Sequence, residues 1–236
     1  MHYPPQMSAH LLDNPIWSSL TTQQACFAEG RLHAKRYLPD VAPFAAVELA
    51  SVRAADELAQ IVAAGERIYL VGVAPGIDDR WTLTLTDRIV QMVWQAGAIA
   101  TQDEGDIVEL EAADAADMLA LTQQVFPGYF RARTPEMGRY YGIREGGLLA
   151  AMAGERMRLT GFQEVSAVCT HPEFVGRGYA SRLVARLVRT CLYLDWTPFL
   201  HVGESNARAR ALYERLGFVE RRTLPLWQLQ RRADGE

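Results

Sequence analysis

Two glycines one residue apart, Gly176 and Gly178, stand where a short β-branched run gives way to a helical pattern. The run Glu164 to Thr170 reads as a buried strand closed by Pro172. From Ala180 the apolar residues Ala180, Leu183, Val184, Leu187, Val188, Cys191 and Leu192 recur with the i, i+3, i+4, i+7 period of a core-facing helix. A glycine turn opening a helix lets a ligand approach the backbone, and the free N–H groups and positive dipole end of the first turn favour a pyrophosphate. A P-loop would need Lys-Ser/Thr after the second glycine, and a Rossmann turn a third glycine where Ser181 stands. A nucleotide-dependent oxidoreductase stays open as an alternative, with Asp195 at a suitable distance for a ribose, although Asp195 precedes its strand instead of ending it. His201 is a further group with chemistry to offer, because the ordinary pKa of imidazole suits a base at neutral pH.

The elements that must position these residues follow in the second half of the chain. Ile107 to Glu111 reads as a strand and Asp114 to Val125 as a helix. Tyr140 to Arg144 and Leu148 to Met157 form a hairpin around Gly146-Gly147. A strand at Phe199 to Val202, a helix from Asn206 ended by a left-handed Gly217, and a strand at Leu224 to Leu229 complete it. Before these, Asn14-Pro15 starts a helix predicted to run to about Arg36, followed by an apolar run at Phe44 to Leu49. A helix near Arg53 to Ala64, a strand at Arg67 to Val73 and an alternating strand at Trp81 to Thr86 come next, with Asp87 capping a helix through Trp94. Residues 97 to 106 are small, polar and acidic, so the chain divides into an N-terminal α/β region of unknown role, 1–104, and a second domain, 105–236.

Val175, Gly178 and Ala180 occupy the three defining places of the acetyl-CoA loop Gln/Arg-x-x-Gly-x-Gly/Ala. Residues 205–218, Ser-Asn-Ala-Arg-Ala-Arg-Ala-Leu-Tyr-Glu-Arg-Leu-Gly-Phe, are similar to a second signature, Asn-x-x-Ala-x-x-Leu-Tyr-x-x-x-Gly-Phe. Together they resemble the GNAT superfamily of N-acetyltransferases, in its FR47-like branch with the glycine N-acyltransferase relatives. The resemblance implies an α/β fold, a mixed and mostly antiparallel sheet flanked by helices, with the cofactor wedged between two splayed strands. It implies that backbone groups of Val168, Cys169 and Thr170 bind pantetheine, and that Gly176, Arg177, Gly178, Tyr179, Ala180 and Ser181 surround the pyrophosphate. Val175 departs from the usual Gln or Arg, and Arg177 supplies a nearby cation. Asn206 would contact the cofactor while capping its helix.

The same resemblance makes Tyr213 the acid that protonates the leaving thiolate, whereas its helical period alone makes it a core residue beside Ala209, Leu212 and Leu216. Glu164, four residues before Val168, sits where histone-acetylating members carry their base; read by itself it is a strand-end carboxylate facing water. His201 is the second candidate base. The loop 126–139 lies where the family sets acceptor specificity, and its Tyr129, Phe130, Arg131 and Arg133, with Arg139, offer an apolar wall and a carboxylate clamp.

Length and composition bound these readings. The 236 residues are 49% hydrophobic and 22% charged, an ordinary globular composition. A net charge of −4 gives no reason to expect nucleic acid or an anionic membrane as partner. Three widely separated cysteines fit no metal-ligand spacing and suit a reducing compartment; Met1 to His10 lacks the pattern of a signal peptide. The expectation is a cytoplasmic, metal-free enzyme that moves acetyl from acetyl-CoA to a primary amine of a small molecule or amino acid by direct attack. A non-catalytic acyl-CoA-binding regulator is the rival from another class. Residues 1–104 would complete the acceptor pocket, form a homodimer contact or support the core.

Overall fold

The computed structural model describes residues 10–96 and 105–233. The chain opens with helix α1 (Pro15–Thr21) and strands β1 (Ala28–Gly30), β2 (Ala34–Tyr37) and β3 (Ala45–Val47), which form a three-stranded antiparallel sheet. Helix α2 (Val52–Leu58) and strands β4 (Arg67–Val71) and β5 (Trp81–Trp94) follow. Beyond residue 104 come β6 (Ile107–Leu110), α3 (Ala115–Val125), β7 (Tyr140–Glu145), β8 (Leu148–Leu159) and β9 (Phe162–Thr170). The chain then runs through α4 (Tyr179–Tyr193), β10 (Thr197–Gly203), α5 (Ala207–Arg215) and β11 (Phe218–Arg231).

Eight strands make one sheet in the order β4-β11-β5-β10-β9-β8-β7-β6. Every pairing in it is antiparallel except that of β9 with β10. Phe199 and Leu200, consecutive on β10, enter different apolar clusters, so the sheet has a core on each face. Leu200 shares its cluster with Leu183, Val184, Leu187 and Val188 of α4, the stripe predicted from the sequence. Phe199 meets Leu12, Ile16 and Leu20 from the start of the chain.

Three expectations for the first hundred residues change. The first helix stops at Thr21 instead of running to Arg36. There the hydroxyls of Thr21 and Thr22 bond back to the carbonyls of Trp17 and Ser18, a local alternative to helix propagation. Residues 81–94 form a single strand, with no helix after Asp87. That strand lies between β10 and β11, and Ile89 to Met92 are all buried, so no alternation marked them as β. Finally, β4 and β5 belong to the same sheet as the strands after residue 105, so the sheet runs across the expected boundary at 104/105.

The opening that matters lies between β9 and β10. Their parallel pairing covers only Phe162–Glu164 against Thr197–Phe199, after which the strands separate. On its other edge β9 carries a bulge: Met152 pairs with Cys169 and Gly154 with Ser166, leaving one extra residue on β9. Ala167, inside that bulge, has φ of +51°. The bulge turns the strand away from its neighbour just where the gap begins.

Candidate active site

A groove of about 490 Å³ occupies the gap, within the usual range of a ligand pocket. Val168, Cys169 and Thr170 of β9 form one wall, the turn from Phe174 to Gly178 and the first residues of α4 the end, and Asn206 to Arg215 of α5 the other wall. Gly178 is the N-cap of α4 with φ of +80°, and Gly176 has φ of +94°. A Cβ at either would touch nothing within 4 Å, so glycine is needed there for the dihedral and not for room. The turn therefore aims the unpaired N–H groups of α4 into open space. Asn206 accepts a bond from Ala209 N at 3.1 Å, which fixes the start of α5 against the groove.

Tyr213 lines the groove and is 7% exposed, its ring held edge-on to Phe218 at 6.0 Å. Burial, with a smaller contribution from Cys169, pushes its pKa up to about 12. The phenol is a neutral proton donor at any ordinary pH. Burial likewise pushes the Cys169 thiol up to about 12, which leaves it a poor nucleophile.

Most of the residues expected around the cofactor thus converge: Val168, Cys169, Thr170, Gly176, Gly178, Tyr179, Ala180, Ser181, Asn206 and Tyr213 share one groove. Arg177 does not line it. Its guanidinium lies over the Phe174 ring at 4.9 Å and 3.7 Å from Glu145, whose carboxylate also accepts from the Tyr179 hydroxyl. The cations that do face the groove are Arg208 and Arg215. Their signal lay in the helical period, since 208, 212 and 215 share a face at i, i+4 and i+7.

Glu164 and His201 are brought together, but outside the groove. Glu164 is 1% exposed and takes a two-pronged pair from Arg156, Nε and Nη2 each at 2.7 Å, plus a bond from Met157 N at 3.2 Å. Burial alone would raise its pKa; the Arg156 charge and bonds, aided by His201, outweigh burial and hold it at about 2. His201 Nδ1 lies 2.8 Å from Glu164 and its Nε2 lies 3.1 Å from Gln91 Nε2. The Gln91 amide is oriented by its partners: Arg221 only donates, so Oε1 faces it at 2.9 Å, and Nε2 faces the Leu12 carbonyl at 2.9 Å. Nε2 of Gln91 therefore donates to His201, which accepts at Nε2 and donates from Nδ1 to Glu164. A carboxylate clamped by a guanidinium and an imidazole whose lone pair faces Gln91 have nothing to offer a proton in the groove. The expectation that either is the base finds no support in this geometry.

Across the bulge from the groove is a small recess lined by Tyr129, Phe130, Tyr140, Arg156, Ser166 and Ala167, with Phe126 and Thr134. Tyr129 stacks on Phe44 at 5.9 Å and leans on Tyr69 at 4.8 Å, while Phe130 meets Tyr140 edge-on at 5.8 Å. The aromatic half of the expected acceptor wall is therefore present. The expected arginines are not: Arg133 pairs with Glu136 at 2.7 Å and Asp40 at 3.2 Å, and Arg131 is not among the residues that line the recess. Arg139 lies in another surface pocket beside Tyr141 and Tyr193. The guanidinium that reaches the recess is Arg156 of β8, with its flat face 4.7 Å from the Phe44 ring.

Comparison with known proteins accounts for this arrangement. A model of the family described as FR47-like protein matches residues 140–227, from β7 well into β11. The solved structure of a protein assigned to the GNAT family from Novosphingobium aromaticivorans DSM 12444 superposes with a TM-score of 0.86 at 36% identity, over 94% of this chain and 99% of that one. A GCN5-related N-acetyltransferase from Kribbella flavida shares the fold, with a TM-score of 0.62 at 15% identity over 89% of this chain and 93% of that one. So does a GCN5-related N-acetyltransferase-like protein from Streptococcus suis 89/1591, with 0.59 at 13% over 96% and 95%. No curated protein matches the chain. An identity of 36% sustained over nearly the whole of both chains reaches the N-terminal strands as well as the groove, and on that ground the chain belongs to the GNAT family of N-acetyltransferases.

Proposed function

We propose that the protein transfers acetyl from acetyl-CoA to the primary amine of a small molecule or amino acid, by direct attack of the amine on the thioester. The observation that carries this reading is the groove itself, with a glycine turn and helix N-terminus at one end and a buried neutral phenol lower down. The donor supplies an activated acyl group; the chain's residues bind and orient it. The N–H groups that open α4 suit a pyrophosphate, and Arg208 and Arg215 add charge for phosphate oxygens. The backbone of Val168 to Thr170, freed from β10 by the splay, can pair with an amide-bearing arm. The Tyr213 phenol hydrogen-bonds the departing sulfur, which needs only modest help because a thiol of pKa about 8.5 leaves readily as thiolate, and the thiolate takes its proton as CoA departs. The ammonium proton of the acceptor leaves to water, and Glu164 and His201 act from behind by fixing Arg156. All three cysteines are unpaired and Cys26 is exposed, which supports assigning the enzyme to the cytoplasm.

Thermal unfolding tests the donor directly. CoA or acetyl-CoA at about a hundred times its Kd should stabilise the protein by ~2.7 kcal/mol, and NAD should not. Gly178→Asp should lose that shift, because it strains the left-handed N-cap and sets a carboxylate beside the phosphate site. A screen of amines read by CoA thiol release then tests turnover. Stabilisation by NAD and not by CoA would end the acyl-transfer reading.

A further inference from the structure

The recess across the bulge holds a polar atom with nothing to bind. Tyr140 is 1% exposed, and its hydroxyl is fully buried without a hydrogen-bond partner. Leaving such a group unpaired costs about 1–3 kcal/mol, so its placement calls for a partner that the chain does not supply. The local sequence directs it there. Tyr140 of β7, Gly154 of β8 and Ser166 of β9 lie in one cross-strand row. A Cβ on Gly154 would sit 2.2 Å from the Tyr140 ring, so the glycine clears the space over which the ring extends towards Ser166 and Ala167. Burial drives the phenol pKa upward, so it presents a proton at any working pH. Beside it, Arg156 spends Nε and Nη2 on Glu164, and its third nitrogen, Nη1, takes no part in that pair. The recess is about 20 Å³, room for a compact head group and not for the body of a substrate.

We infer that this recess receives the carboxylate of the acceptor, held between the Tyr140 hydroxyl and Arg156 Nη1, so that the substrate is a small amino acid and not a simple amine. The inference rests on the acyl-transfer reading of the groove. A neutral O–H donor beside a fixed guanidinium matches an anionic oxygen pair, and charge-assisted bonds of this kind are the strong ones. Ala167 lines the recess and Val168 the groove, consecutive residues whose Cα atoms are about 3.8 Å apart. The substrate this calls for is one whose amine stands only a few bonds from its carboxylate, so that the amine enters the groove while the acid end stays in the recess. Apolar closure comes from Tyr129 and Phe130, the two loop residues singled out from the sequence.

Matched acceptors test this: glycine against methylamine and glycinamide, and β-alanine against ethylamine, each measured by CoA release and by calorimetric binding to the protein–CoA complex. The acids should exceed their partners about tenfold to a hundredfold in kcat/KM and in affinity. Tyr140→Phe should raise the KM for the acid by about tenfold, leave the KM for acetyl-CoA unchanged, and leave the protein at least as stable, since only an unpaired hydroxyl is lost. Equal affinity for acids and amines, or an unchanged KM in Tyr140→Phe, would overturn the inference even if CoA is released. Carboxylate-dependent binding that Tyr140→Phe abolishes would sustain it even if no CoA is released, an outcome that would sink the acyl-transfer reading alone.

Discussion

The two sides of the bulge at Ala167 are built in different ways. The groove is lined chiefly by two short continuous pieces, residues 168–181 and 206–215, with Val125 of α3 beside them. The recess draws side chains from the loop after α3 and from β7, β8 and β9, and is backed by Phe44 and Tyr69 of the first hundred residues. The loop 126–139 is tied to that same region, through Arg133 N to the Asp40 carbonyl at 2.9 Å and Thr134 Oγ1 to the Val41 carbonyl at 2.6 Å. A site drawn from two stretches of chain depends on few distant contacts. A site assembled from distant side chains depends on every support, and the N-terminal region is one of them.

Removing the central support should have the largest effect. Arg156→Met leaves Glu164 buried without its partner and should lower the unfolding free energy by about 3–5 kcal/mol in urea. Adding Glu164→Gln to it should restore part of that loss. If Arg156→Met unfolds like the parent, the recess does not depend on this pair. On the groove side the substitutions should act on function alone. Tyr213→Phe should keep the parent's urea midpoint while kcat falls roughly a hundredfold; an undiminished kcat would make Tyr213 a packing residue.

Smaller effects should follow from the surface charges. Arg208→Ala combined with Arg215→Ala should weaken CoA binding by about tenfold and flatten its salt dependence, without changing selectivity among acceptors. A change in acceptor preference instead would show that the two sides are not separable. A further effect concerns pH. The Glu164 pKa is about 2 in the folded protein against an ordinary 4.5, so its contribution is complete above 4.5 and is lost as pH falls towards 2. In Glu164→Gln the acid limb of stability between those values should be flatter than in the parent, and an identical limb would place the acid sensitivity elsewhere.

The same division decides what could be read from the sequence. Groove residues follow one another along the chain at fixed offsets from two glycines and an asparagine, so the resemblance carried by the two signatures pointed to nearly all of them. Arg177 failed because a neighbouring position in sequence is not a direction in space: its ring contact with Phe174 turns it aside. The polar residues of the recess left no pattern, since Tyr140, Arg156 and Ser166 become neighbours only through the register of three strands. Glu164 illustrates the limit most plainly. Its offset from Val168 was legible, but its partner Arg156 lies on another strand and reverses the chemistry that the offset suggested. Strand β5 was half-seen for a similar reason, because burial on both faces erased the alternation that marks a strand.

The position of β5 also constrains the order in which the molecule can be made. Among the described residues, β5 pairs only with β10 and β11, and β4 pairs along its length only with β11. A growing chain therefore displays two apolar strands for more than a hundred residues of synthesis before either finds its neighbour. Pairing over such separations slows folding, and unpaired strand edges invite association in the meantime. Chains halted before β10 should be recovered as aggregates, and a separately supplied segment 197–231 should rescue them. Within the eight-stranded sheet, the last strand made is the one that releases the first from waiting.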